Sequence, residues 1–183
     1  TSLNSLELKK PMKLTVPGQG LFISPQLISL LSKTMSKQQS LFSETGGVHG
    51  AALFDQQANL LSIFEDIGRH NAVDKVVGHY LRQESGCDTE INNQSVNQSV
   101  NQSVKQRDKQ ATELLTLLVS GRISFEIVQK AIMAGFSLLV GVGAPSNLAI
   151  QAAKRFDLTL IGFVSKQGFN VYHGDWRLST QAD

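Results

Sequence analysis

The clearest pattern in the chain lies in its second half, where short unbroken apolar runs alternate with segments of helical period. Leu114–Val119, Ser137–Gly141 and Thr159–Val164 are continuous apolar or small-residue runs. Runs of that length read as strands covered on both faces. Between them, Ser124–Ala134 and Pro145–Phe156 carry apolar residues at helical spacing, the first closed by Gly135 and the second opened by Pro145. Lys166-Gln167-Gly168 reads as a turn and Phe169–Tyr172 as a last short strand. Strands that alternate with helices predict βαβ units. The fold class expected is therefore α/β, three layers of α/β/α around a mixed, mostly parallel sheet.

The first half is less regular. Residues 1–20 hold Pro11, Pro17, Gly18 and Gly20 with no sustained period, and read as a lead-in. Ser24-Pro25 predicts a helix start, a Ser cap followed by Pro at the first helical position. Leu27, Ile28, Leu30 and Leu31 form its apolar stripe, to about Ser36, and Leu41 and Phe42 suggest a second short helix. Ala51–Phe54 and Leu60–Phe64 flank a polar five-residue link and predict a β-hairpin. Asn71 then opens a helix with Ala72, Val73, Val76, Val77, Tyr80 and Leu81 on one face.

Residues 84–110 break this order. Asn93–Val104 is Asn-Gln-Ser-Val three times over, and a polar repeat of this kind buries too little area to offset its ordering entropy. It reads as a flexible insertion in one domain spanning 21–178, with 179–183 as a tail. The chain begins without Met, so the lead-in is read as the remnant of a missing N-terminal segment.

Charge and cysteine content narrow the function classes. Lys+Arg 17 against Asp+Glu 15 gives a net charge of +2, which supplies no electrostatic case for a dedicated nucleic-acid or membrane-surface binder. No apolar run approaches the ~20 residues needed to span a bilayer. The single cysteine, Cys87, excludes an internal disulfide or a multi-Cys metal site and fits a cytoplasmic setting. It has no neighbouring base to lower its pKa.

In open α/β sheets, ligands sit beyond the carboxyl ends of the strands. Three segments take that position. Ser120-Gly121-Arg122-Ile123-Ser124 combines a glycine, a guanidinium fork and a helix start, which suits a phosphate. The alternative is a plain turn with a Ser cap and a surface Arg. Asp66, Gly68, Arg69, His70 and Asn71 crowd the link between hairpin and helix. They read as a ligand loop, or as a capping arrangement in which Asn71 caps and Asp66 pairs with Arg69. Gly141-Val142-Gly143 has a partial dinucleotide look, but Ser146 stands where a third glycine belongs and the next strand ends without an acid. It is kept only as a possible backbone nest. His49 after Gly46-Gly47 suggests tight packing near a site.

Taken in order, Thr45-Gly46-Gly47-Val48-His49-Gly50, Glu65-Asp66-Ile67-Gly68-Arg69-His70-Asn71-Ala72-Val73-Asp74-Lys75, Leu118-Val119-Ser120-Gly121-Arg122, Gly162-Phe163 and Phe169-Asn170-Val171-Tyr172 form a specific combination. It resembles the FdhD/NarQ family of formate dehydrogenase accessory sulfurtransferases from about Leu21 to Tyr172. The resemblance implies a cytidine-deaminase-like fold, a homodimer, and passage of persulfide sulfur from a cysteine desulfurase to the bis-molybdopterin guanine dinucleotide cofactor of formate dehydrogenase. It implies that Phe163, Val164, Ser165, Lys166, Gln167 and Gly168 contact that cofactor. Lys166 and Gln167 stand where relatives tend to carry Arg, so a point charge replaces a fork. The family's Cys-x-x-Cys loop precedes the region seen here and is absent from the sequence. The alternative is a cofactor-binding scaffold that has lost sulfur transfer.

A zinc nucleobase deaminase on the same fold needs His-x-Glu and Pro-Cys-x-x-Cys. The corresponding places hold His70-Asn71-Ala72 and Ser120-Gly121-Arg122-Ile123-Ser124, so the expectation is no zinc and an anionic ligand held by Arg69, His70, Arg122 and Ser124.

Overall fold

The computed structural model describes residues 23–84 and 114–179. The predicted lead-in, the repeat with Cys87, and the tail beyond 179 lie outside the described residues. In order the elements are α1 (Pro25–Gln38), α2 (Ser40–Thr45), β1 (His49–Phe54), β2 (Leu60–Asp66), α3 (Arg69–Glu84), β3 (Thr116–Val119), α4 (Phe125–Met133), β4 (Leu138–Gly141), α5 (Asn147–Phe156), β5 (Thr159–Gly162) and β6 (Asn170–His173).

Local chemistry sets most boundaries. The Ser24 hydroxyl accepts from the Gln26 N–H, and Pro25 opens α1 where its missing donor costs nothing. In the hairpin link, the Asp55 carboxylate accepts from the N–H groups of Gln57 and Asn59 at 2.9 and 2.8 Å. This Asx turn folds the chain back on itself. Two helix starts differ from the sequence reading. Helix α3 begins at Arg69, two residues before Asn71. Helix α5 begins after Pro145, because Pro145 pairs with Ile123 in a β-bridge and the Ser146 hydroxyl caps the Ala149 N–H.

The strands form one sheet in the order β2-β1-β3-β4-β5-β6. The pairs β3–β4 and β4–β5 are parallel, while β1–β2, β1–β3 and β5–β6 are antiparallel. The sheet is mixed as expected, but it is not mostly parallel. Short links make antiparallel neighbours of β1–β2 and β5–β6. The β1–β3 pairing joins segments far apart in sequence, and no local pattern announces it.

Alternate residues of each central strand feed opposite layers. Ala51, Leu53, Leu117, Val119 and Leu139 face α3, α4 and α5 in one buried core. Ala52, Phe54, Leu118, Leu138 and Val140 face α1 in the other. The three-layer architecture therefore holds, with one long helix on one side and three on the other. At the sheet end opposite the carboxyl termini of β3–β5, buried Arg177 donates to Thr159 Oγ1 (3.0 Å) and Asp157 Oδ2 (2.9 Å). Its carbonyl accepts from Ile23 N–H, which fastens the entry to α1. No described helix is long and apolar enough to cross a membrane.

Leu118 is fully buried between the central strands and α1. Leu118→Ala is expected to cost about 2–5 kcal/mol in urea unfolding, through lost burial and the cavity left behind.

Candidate functional site

The directions of the strands gather five connections at one end of the sheet. These are the approach to β1 at 46–48, the β2–α3 loop at 67–68, the β3–α4 loop at 120–124, the β4–α5 loop at 142–146 and the β5–β6 loop at 163–169. All the candidate residues lie in or beside these loops.

Backbone hydrogen bonds zip three of the loops together. The Gly143 N–H donates to the Gly121 carbonyl at 3.2 Å, and the Phe163 N–H donates to the Gly143 carbonyl at 3.3 Å. Ile123 N–H donates to Ala144 O and Ser146 N–H to Ile123 O. A Cβ at Gly143 would come within 2.9 Å of Arg122 N and of the Gly121 C and O atoms. Only a glycine allows this approach. The Gly141–Gly143 segment is thus a backbone contact between loops and not an anion nest, since the N–H groups of Val142 and Gly143 are already donated. The contact places Arg122 and the start of the Phe163–Gly168 turn on the same rim.

On that rim, Gly121 lets the His49 ring approach, with Nδ1 3.3 Å from where a Cβ would stand, and the Arg69 Cδ lies 3.7 Å from the same point. His70 Nε2 lies 3.0 Å from Ser124 Oγ. His49, Arg69, His70, Gly121, Arg122 and Ser124 are therefore brought together from β1, α3 and the β3–α4 loop. Arg122 is exposed. Ser120 points elsewhere: its hydroxyl accepts from Gly50 N–H at 2.9 Å and ties β3 to β1.

Asp66 and Asn71 take a holding role. Asp66 Oδ1 accepts from Gly68 N–H (2.9 Å) and Asn71 Nδ2 (3.1 Å), and Oδ2 meets Lys75 Nζ at 2.7 Å. The partner is Lys75 rather than Arg69, and Asn71 sits in the third position of α3 without capping it. Lys75, Gly68 and Asn71, in that order, hold the Asp66 carboxyl at about 2, below its usual 3.8. Beyond β5 the turn divides. Val164 is buried against the α1 core and its N–H donates to Gly141 O, so it packs and does not face the rim. Phe163 is 49% exposed with φ +57, a conformation uncommon for a residue with a side chain. Ser165 and Gly168 close the turn on each other, the Ser165 N–H and hydroxyl both donating to Gly168 O. Lys166 and Gln167 are exposed at its tip.

Two participants escaped the sequence reading. Glu126, in the first turn of α4, has its carboxyl held below the usual value, first by the nearby Ser124 hydroxyl and the helix-start backbone, with smaller help from His70 and Arg69. Lys130 binds Asp74 at 2.7 Å and the His70 carbonyl at 3.4 Å, strapping α4 to α3. The i, i+4 spacing of His70 and Asp74 places both on one face of α3, the one signal that could have found this strap. Among the described residues, no three His, Cys, Asp or Glu side chains cluster to hold a metal ion.

Two outcomes follow from this geometry. Gly143→Ala is expected to destabilise the fold by about 1–3 kcal/mol in urea unfolding, because the backbone of Gly121 and Arg122 has to shift. The unfolded chain binds a proton at Asp66 near 3.8 and the folded chain only near 2. The stability Asp66 contributes is thus complete above that window and is lost as pH falls through it. Unfolding titrations across this range should show a shallower acid dependence in Asp66→Asn.

The family model described as the FdhD/NarQ family matches residues 2–179. The sulfur carrier protein FdhD of Nocardia farcinica is 39% identical over 172 residues, covering 94% of this chain and 53% of that protein. That of Thermoplasma acidophilum is 43% identical over 150 residues, covering 82% of this chain and 44% of its own length. The chain spans about half the length of these relatives. A crystal structure described as a formate dehydrogenase accessory protein of Desulfotalea psychrophila superposes with a TM-score of 0.70 at 23% identity, over 93% of this chain and 61% of that one, and shares the fold. With the family's model matched along nearly its whole length, the chain belongs to the FdhD/NarQ family.

Proposed function

We propose that this chain is the cofactor-binding part of an accessory protein for formate dehydrogenase maturation. In this reading it grips the bis-molybdopterin guanine dinucleotide cofactor as a substrate while sulfur from a cysteine desulfurase is added to it. One observation carries the reading: the Gly143 contact sets Arg122 and the Phe163–Gly168 turn on one rim, beside His49, Arg69, His70 and Ser124. Guanidinium and imidazole groups from separate elements suit the phosphates of a guanylyl arm. The exposed Phe163 ring and the Ser165–Gly168 turn suit its base and ribose. Asp66 and Asn71 then serve by shaping the loop that presents Arg69 and His70. Family membership supports the same assignment. The proposal also takes the protein as cytoplasmic and homodimeric, with formate dehydrogenase as recipient.

The persulfide carrier is taken to be the Cys-x-x-Cys loop of the longer relatives, since the sequence holds only Cys87. That single cysteine favours a second reading, a cofactor-binding scaffold without sulfur transfer. Mass spectrometry after incubation with a cysteine desulfurase and cysteine tests whether this chain carries sulfur by itself. Cys87 is expected to retain no sulfur, and a persulfide there would make this chain a carrier by itself.

The cofactor-binding reading is tested by calorimetry with GDP, a mimic of the guanylyl end. Submillimolar binding is expected, weakened at least about tenfold in Arg122→Ala, the size of a lost charge-assisted hydrogen bond. Binding no better than millimolar, or indifference to Arg122→Ala, would overturn it.

A further inference from the structure

His70 is gripped twice from the side of α4, once at its ring and once at its backbone. The first grip is Ser124. Ser24, Ser124 and Ser146 each stand in the N-cap position before a helix. The Ser24 and Ser146 hydroxyls accept from the first-turn N–H groups of Gln26 and Ala149. The Ser124 hydroxyl makes no such cap and meets His70 Nε2 at 3.0 Å instead. It forgoes a stabilising local bond for a ring on another helix. The second grip is Lys130. From α4 its ammonium reaches Asp74 Oδ2 at 2.7 Å and the His70 carbonyl at 3.4 Å. Lys75, beside Asp74 in sequence, is taken by Asp66. Elsewhere α3 and α4 share an apolar core that includes Ala72, Val73, Val76, Ile127, Val128 and Ala131. Apolar contact is non-directional, and packed helices can slide past one another by small shears. The polar grips decide where that sliding stops.

We propose that Lys130 and Asp74 are positioning residues for the rim: their ion pair sets the offset of α3 against α4, and with it the seat of the His70 ring on Ser124. The proposal rests on the reading of the rim as a nucleotide-phosphate site, and adds the device that keeps two of its groups in register. An ion pair open to solvent contributes little to global stability. What this one supplies is direction. Lys130 bridges a carboxylate and a helix carbonyl that lie one turn apart on α3, so its reach fixes α4 along that helix. Asp74 is the informative member. It is an anion one turn from His70, so by charge alone its loss would favour a bound phosphate. By position its loss disfavours the same phosphate. The two accounts predict opposite signs.

The test measures GDP affinity by calorimetry, and the ring nitrogens of His70 by NMR, in the wild type, Asp74→Asn, Lys130→Met, Lys130→Arg, Ser124→Ala, Arg122→Ala and Lys37→Met. His70 is assigned among the four histidines by the resonance lost in His70→Gln. Ser124→Ala marks the Nε2 resonance of a ring without its hydroxyl partner. Lys37, exposed in the last turn of α1 on the other side of the sheet, controls for net charge. Asp74→Asn and Lys130→Met are expected to weaken GDP about three- to tenfold, the scale of one displaced hydrogen bond. Both should move the Nε2 resonance most of the way to its Ser124→Ala position, with urea midpoints near that of the wild type. Lys130→Arg keeps the bridge and should stay within about twofold of the wild type, as should Lys37→Met. Unchanged or tighter GDP binding in Asp74→Asn, with wild-type binding that still falls in Arg122→Ala, overturns the positioning pair and leaves the nucleotide site standing. An unmoved Nε2 resonance in both Asp74→Asn and Lys130→Met also overturns it, because GDP would then be responding to charge or to stability. Absence of GDP binding in the wild type overturns the site and its positioning pair together.

Discussion

The contact of the Gly143 backbone with that of Gly121 and Arg122 governs the geometry of the whole rim. Parallel strands β3 and β4 already sit side by side, and the absence of a side chain at Gly143 lets their following loops close to backbone hydrogen-bond distance. The same residue passes the register on to Phe163. Each link is a backbone bond, so the arrangement depends on main-chain position more than on side-chain chemistry. What varies across such a rim is the set of side chains it displays. What is fixed is their spacing.

A second constraint comes from two adjacent carboxylates. Glu65 and Asp66 are consecutive in β2 and therefore project to opposite faces of the sheet. Glu65 takes the opening N–H groups of α2 on one face. Asp66 takes Gly68, Asn71 and Lys75 on the other. One strand end thus organises both the approach to β1 and the start of α3. Acids that satisfy backbone donors in this way define loop shape.

The remaining charged groups divide by depth. Arg177, almost fully buried, is satisfied by Asp157 and Thr159 and fastens the end of the sheet away from the rim. Loss of one partner there would strand a buried charge. Arg122 and Lys166 stand exposed to solvent. His49, Arg69 and His70 lie between these extremes, half-buried beside glycine and hydroxyl groups.

The sequence by itself determined the element order, the two-sided burial of β3, β4 and β5, and the clustering of polar loops at strand ends, because apolar runs and caps are local signals. It also carried the motifs that mark the family, since a string such as Gly68–Lys75 is legible wherever it occurs. Only the tertiary structure decided the antiparallel partnership of β1 with β3, the passage of Val164 into the core, and the commitment of Asp66 to Lys75. It alone set His70 against Ser124, 54 residues apart, with Glu126 beside them. These features depend on which distant segments become neighbours. Long-range pairing is selected by the burial of whole layers at once, and no short stretch of sequence records it.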